Sequence, residues 1–368
     1  MTGTGRPRTV GLFPLSRMAE AAAAAGPLPE EQIREIVTVA SLAPSVYNTQ
    51  PWRFRTDGYV IDLFADRDRQ LHYLDEPGRL LGLSCGAAVH HARLAVRGIG
   101  RDVDVQWLPD PSDPEHLARV IPGPAADHSP SSEDWALLQA VWERRSYRDT
   151  FQPRRLTRGL VVDLERAVEA EGCSLRAVER PGEREDIAAL VAAADEEFAA
   201  DARAQEELTG WSRWEETLAA GERLSDGIPR SAVARGTMAS SGVFRQRNFD
   251  VDGTVAAESK AAAARPLDPS APPEDPDVAA LFTPGDAMSD WLAAGGALSA
   301  LLLTAACGGA SASLLNQPLD RTVPRVRVNE VLHVPGVVQV LLRIGYPGRD
   351  ARPFVTPRRP VDEVLTWV

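Results

Sequence analysis

The stretch Ala43-Pro44-Ser45-Val46-Tyr47-Asn48-Thr49-Gln50-Pro51-Trp52 decides how the rest of this chain is read. Pro44 and Pro51 fix φ and push the residue before each out of the α region, so a helix arriving from the N-terminal side must stop near Ser41. Between the prolines, Ser45, Asn48, Thr49 and Gln50 present donors and acceptors on a stiffened loop. Trp52-Arg53-Phe54-Arg55 then alternates apolar and charged residues, the period of a half-buried strand. Helix, stiff polar loop and strand together form a frame for one edge of a flat, polar ligand. A well-made turn would look the same, and these residues alone leave both readings open.

Working outward, Pro29-Glu30-Glu31 suits the first turn of a helix, with proline at its start and acidic side chains at the positive end of its dipole. Ile33, Ile36, Val37 and Ala40 follow on one face. Trp52–Arg55 and Val60–Ala65 read as antiparallel strands joined at Asp57-Gly58. A helix over 82–98 and a strand over 103–108 come next. The apolar, small-residue run from Gly86 to Ala95 resembles that from Gly295 to Thr304, and glycines follow at Gly100 and Gly309. Their similarity suggests an internal duplication. Residues 110–134, with Pro109, Pro111, Pro114, Pro122, Pro124 and Pro130 in and beside them, read as a linker between two halves.

The second half opens with a helix from Trp135 to about Arg144 that runs into Arg144-Arg145-Ser146-Tyr147-Arg148. Guanidinium forks pair bidentately with phosphate, and a serine hydroxyl adds a donor; a solvated basic helix end is the bland alternative. A second buried helix over 291–309, a central strand over 337–344 and a tail carrying Arg358 and Arg359 complete the half.

Three motifs carry a resemblance. Ser-x-x-Asn-x-Gln-Pro-Trp after an apolar helix resembles the flavin-facing loop of the nitroreductase superfamily, and the longer Leu42–Trp52 run is similar to the Acg-type branch found in actinobacteria. Arg-Arg-Ser-x-Arg at 144–148 resembles the element with which nitroreductases hold the FMN phosphate. Pro357-Arg358-Arg359-Pro360 resembles the tail that reaches the same phosphate. The resemblance implies an α+β, duplicated nitroreductase-like fold, an intramolecular pseudo-dimer with a lid-like insertion. It divides the chain into a flexible arm over 1–27, a first half over 28–125 and a second half over 126–368, with the insertion at about 200–276.

It also implies FMN, with Arg144, Arg145, Ser146 and Arg148 taking the phosphate together with Arg358 or Arg359. Pro44, Ser45, Asn48 and Gln50 would take the ring and ribityl chain, with Asn316 and Gln317 beside the ring. Leu314–Asp320 sits where the family places a loop near the flavin N5 edge, although Asp320-Arg321 departs from the acidic residue and glycine often found there. Trp211, Trp214 and Phe244 would cover the flavin or pin the insertion to the body. The loop lies in the first half and the phosphate elements in the second, so one FMN per chain is expected. The implied activity is an oxidoreductase working at flavin N5 with NADPH or NADH and a small organic acceptor; the alternative is FMN storage with little turnover.

Composition bounds the rest. The chain has 368 residues, 44% of them apolar, a net charge of −12, and Lys260 as its only lysine. That balance offers no basic surplus for nucleic acid. Cys85, Cys173 and Cys307 are widely spaced, which fits a reducing cytoplasm. The Ala-rich run 19–25 is too short to span a bilayer, so no membrane segment is expected. His90 and His91 are adjacent on a helix and point about 100° apart, so no metal is expected. Ser240-Ser241-Gly242 has no His–Asp pattern nearby to make it a nucleophile. A further homodimer is left open.

Overall fold

A computed structural model describes residues 26–126, 129–148, 150–213, 224–229, 274–348 and 356–368. Residues 1–25 of the expected arm over 1–27, Trp214, Phe244 and Ser240-Ser241-Gly242 lie outside the described residues. Helices α1 (Glu30–Ser41), α2 (Arg79–Gly98) and α3 (Ser132–Glu143) accompany strands β1 (Trp52–Thr56), β2 (Ile61–Ala65), β3 (Arg101–Trp107) and β4 (His116–Ala125). Then come α4 (Arg158–Ala170), β5 (Ser174–Ala177), α5 (Pro181–Ala200), α6 (Ala202–Gly210) and the short pair β6 (Ser212–Arg213) and β7 (Ile228–Pro229). The chain closes with β8 (Asp277–Thr283), α7 (Met288–Cys307), β9 (Ser311–Leu314), α8 (Thr322–Leu332), β10 (Val337–Gly345), α9 (Val361–Val364) and β11 (Leu365–Trp367).

Two mostly antiparallel sheets organise the molecule. One runs β11-β1-β2-β4-β3 and the other β5-β8-β10-β9. Without β11, the two share one strand order and the same antiparallel pairing. The alternation of β1 does what its sequence requires: Trp52, Phe54 and Thr56 are buried while Arg53 and Arg55 face out. Gly58, at φ 91°, turns the β1–β2 hairpin, and the Asp57 carboxylate accepts from the Tyr59 and Val60 amides.

Helices α2 and α7 pack against each other between the sheets. A Cβ on Gly86 would come within 2.0 Å of the Leu292 carbonyl oxygen, and one on Gly295 within 2.0 Å of the Leu83 carbonyl oxygen. The two contacts are reciprocal, and one turn beyond each glycine His90 Nδ1 meets Ser299 Oγ at 3.0 Å. Backbone contact this close admits no side chain at either glycine. Helix α7 is the one helix among the described residues long and apolar enough, by length and composition, to cross a membrane. Packing against α2, α3 and α4 accounts for that composition.

The linker expected over 110–134 is corrected: its middle, His116–Ala125, is β4, paired to β2 on one side and β3 on the other. Pairing with β2 ends at Val120, so Pro122 and Pro124 lie where β4 has a single neighbour and a missing N–H costs no ladder bond on the open side. Pro109, Pro111 and Pro114 fall in the β3–β4 connection. The tail returns to the first sheet, where β11 pairs parallel to β1 with Phe54 opposite Leu365 and Thr56 opposite Trp367.

Candidate functional site

The connection from α1 to β1 holds three non-glycine residues in the left-handed region: Tyr47 (φ 46°), Asn48 (φ 56°) and Gln50 (φ 50°). Asparagine tolerates this conformation; tyrosine and glutamine adopt it at a cost of about 1–3 kcal/mol each. Hydrogen bonds hold the loop there. Ser45 Oγ accepts from the Gln50 amide at 3.0 Å, and Ser84 Oγ on α2 accepts from the Val46 amide at 3.2 Å. Arg69 Nε donates to the Thr49 carbonyl at 2.6 Å.

Asn48 and Gln50 are spent on other parts of the chain. Asn48 Nδ2 donates to the carbonyls of Gly227 and Pro357, both at 3.0 Å, and its Oδ1 accepts from Arg358 at 3.1 Å. Gln50 Nε2 donates to the Ser225 carbonyl at 2.8 Å, while its Oε1 accepts from the Arg359 amide at 2.9 Å. The described part of the insertion therefore lies on the loop. Arg69 adds an ion pair to Asp226, and its guanidinium stands 5.4 Å over the Trp211 ring. Trp211 thus joins the insertion to the body through Arg69. Nothing in the sequence around Arg69, a run of alternating charges, marks it as the joint.

Arg144, Arg145 and Arg358 converge. Arg144 caps α3 and is buried; Arg358 donates to the Leu42 and Ala43 carbonyls at 3.1 and 3.3 Å and to Thr356 Oγ1 at 2.6 Å. These bonds close the carbonyl end of α1, the negative pole of its dipole. Burial, then repulsion from Arg145, lowers Arg144 to about 10. Burial, then Arg144 and Arg145, lowers Arg358 to about 9. Among the described residues, none of the three pairs with a carboxylate, and the Nε atoms of Arg144 and Arg358 are buried without a partner. Two buried guanidiniums and a half-buried third thus bring like charges together, an arrangement suited to an anion.

The two tail arginines part company. Arg359 points to Asp66 at 3.7 Å and Glu363 at 3.5 Å, so its charge is already matched, and only its amide serves the loop. Arg148 is lowered to about 10 by burial. Ser146 is exposed between Arg145 and Tyr147, whose amide donates to the Ala312 carbonyl at 3.0 Å. Pro44 is half-buried at the start of the loop. Asn316 Oδ1 accepts from the Leu341 amide at 3.0 Å, fastening its turn to β10, and Gln317 is buried in the next turn.

No family model matches the chain. It is 32% identical over 341 residues to "Putative NAD(P)H nitroreductase Rv3131" of Mycobacterium tuberculosis, covering 92% of both chains. It is 29% identical over 338 residues to "Putative NAD(P)H nitroreductase acg" of the same organism, covering 90% of this chain and 95% of that one. A third M. tuberculosis relative, "Uncharacterized protein Rv3127", is 28% identical over 338 residues, 90% of this chain and 92% of its own. With relatives this similar over nearly their whole length, and with the loop and arginine motifs on one α+β frame, the chain belongs to the Acg-type branch of the nitroreductase family.

Proposed function

We propose that this protein is an FMN-dependent oxidoreductase of the nitroreductase kind, passing reducing equivalents from NADPH or NADH to a small organic acceptor. The observation that carries the reading is the cluster of Arg144, Arg145 and Arg358, which is short of negative charge and has unpartnered, buried Nε atoms. A phosphate monoester, which brings up to two negative charges and several acceptor oxygens, fits that chemistry. The relatives' names, which place them among NAD(P)H nitroreductases, support the donor.

When bound, FMN supplies the redox chemistry by accepting and returning a hydride equivalent. The chain's own residues bind and orient. Arg144, Arg145 and Arg358 would neutralise the phosphate, with Ser146 and Arg148 alongside. Pro44, Ser45, Asn48 and Gln50 would present the strained loop to the ring and ribityl chain, partly through backbone groups, because the Asn48 and Gln50 side chains already hold the tail and insertion. Arg359 contributes by fixing Gln50. Asn316 and Gln317 stay candidates beside the ring.

The shared strand order and reciprocal glycine contacts support reading the sheets as two copies of one unit. Only one copy carries the loop, so one FMN binds per chain. A reducing cytoplasm remains part of this proposal, resting on the wide spacing of the three cysteines.

The test is an absorbance spectrum of the purified chain followed by anaerobic NADPH and then NADH. Flavin bands that bleach rapidly are expected. Flavin that resists both nucleotides yet yields to dithionite would shift the assignment to storage. Absence of flavin after incubation with excess FMN would overturn it, as would unchanged flavin content in Arg145→Ala/Arg148→Ala.

A further inference from the structure

His91 stands at the edge of the arginine cluster, and no nitroreductase motif in the sequence accounts for it. Its side chain is fully buried on α2, and Nδ1 lies 3.1 Å from the Val39 carbonyl oxygen in the last turn of α1. A carbonyl can only accept, so Nδ1 carries the hydrogen and Nε2 presents its lone pair. That Nε2 is buried and has no partner. The same helix end that receives His91 also receives Arg358, whose guanidinium donates to Leu42 and Ala43.

The charged and titratable groups acting on His91 are Arg144 from the end of α3, Arg358 from the tail and His90 on its own helix, whose imidazole is itself buried. With no anion present, burial and then Arg144 hold the ring down to about 3, with a smaller push from Arg358. Among the described residues no acid offsets them. The ring is neutral at physiological pH, yet it is the one group of the cluster able to gain a hydrogen.

We propose that His91 is a further ligand of the anion held by Arg144, Arg145 and Arg358, taking a proton from solvent at Nε2 as the FMN phosphate binds and donating it to a phosphate oxygen. The inference rests on the phosphate reading above. A bound dianion cancels two of the three guanidinium charges and offers Nε2 a direct acceptor, so the protonated form, disfavoured among bare guanidiniums, is stabilised. Proton and phosphate then bind with positive linkage, and affinity for FMN declines as pH rises. Riboflavin, which lacks the phosphate, has no such linkage.

The experiment titrates the full-length apo chain with FMN and with riboflavin by calorimetry, in two buffers of different ionisation enthalpy. A pH range of about 7 to 8 keeps the phosphate largely dianionic and stays below the Arg358 transition at about 9. Uptake approaching one proton per FMN is expected, with none for riboflavin. His91→Asn keeps a donor where Nδ1 meets Val39 but removes Nε2; it should abolish the uptake and weaken FMN by roughly tenfold or more, the usual worth of a charge-assisted hydrogen bond. His91→Gln, with a neutral donor near the Nε2 position, should recover part of the affinity without the proton. Unchanged affinity and uptake in a folded His91→Asn would overturn the proposal. So would zero uptake by the wild-type chain, a result that needs no variant to fold. If FMN binds no more tightly than riboflavin, the phosphate reading fails with it; if FMN is preferred without proton uptake, only the role of His91 fails.

Discussion

The two sheets share a strand order and differ in what connects their elements. In the first, residues 42–51 lead from α1 to β1 and form the strained polar loop. In the second, residues 171–173 lead from α4 to β5, and Gly172 at φ 75° makes the turn alone. The β1–β2 connection is a tight hairpin, whereas the stretch between β5 and β8 contains α5, α6 and the segment that lies on the loop. The strand frame is the same in both sheets, and connection length sets how many polar groups each displays. A turn as short as 171–173 has no room for the donors and acceptors that 42–51 displays.

The largest expected effect tests the frame. Gly86→Ala and Gly295→Ala each push a methyl into a facing carbonyl and should cost about 3 kcal/mol or more, beyond the ~1 kcal/mol that alanine returns in a helix interior. Because the contacts are reciprocal, the double variant should cost less than the two added, once the helices have already separated. Gly159→Ala in α4, with open space around it, should be neutral or slightly stabilising. Denaturant unfolding measures all four. Equal, small effects at all three glycines would break the picture of a close two-way contact.

Next comes the site. Arg144→Gln should weaken FMN by roughly ten- to a hundredfold, the range for a hydrogen bond to a charged group, while the apo chain keeps or gains thermal stability as like-charge repulsion is relieved. Arg358→Gln should also lower apo stability, by about 1–3 kcal/mol, because the Leu42 and Ala43 carbonyls lose their donor. If both variants leave the apo melting temperature equally untouched, Arg358 does not close α1.

The pH dependence is smaller and its sign is fixed. His91 titrates at about 3 in the folded chain against 6.5 without the fold, and His90 is lowered as well, both first by burial. The unfolded chain takes up protons that the folded chain refuses, so this stability is full above 6.5 and drains away as pH falls towards 3. In apo chains, His91→Asn should flatten the acid limb of melting temperature against pH. A limb of unchanged slope would show that His91 does not govern it. The smallest effect concerns the short connection: Gly172→Ala should cost about 1 kcal/mol for its positive φ and leave FMN binding unchanged.

Much of the frame is legible in residues. Prolines 44 and 51 announce the end of α1, Asp57-Gly58 announces a hairpin, and the small-residue runs after Gly86 and Gly295 mark two helices that approach closely. The strand β4 is hidden because its prolines look like a linker, and only pairing shows that their missing N–H groups lie beyond the reach of β2. The left-handed residues are hidden because none of Tyr47, Asn48 and Gln50 is glycine; their conformation is imposed by distant partners at 225–227 and 357–359. The same distance separates the roles of Arg358 and Arg359, which are neighbours in sequence and face different charges in space.

The crossing of residues 356–367 to the first sheet has a consequence for synthesis. Loop residues made early are held by residues made about three hundred positions later, with Phe54 waiting for Leu365. Long-range pairings of this kind form slowly because the intervening chain must first be ordered. During translation the nascent first half can build its hairpin and helices, yet its loop has no tail to grip. The arginine cluster is incomplete until Arg358 has emerged. Assembly of the cluster therefore waits for the tail, and a polypeptide halted by a premature stop codon after β10 would keep most of the fold and lose Arg358.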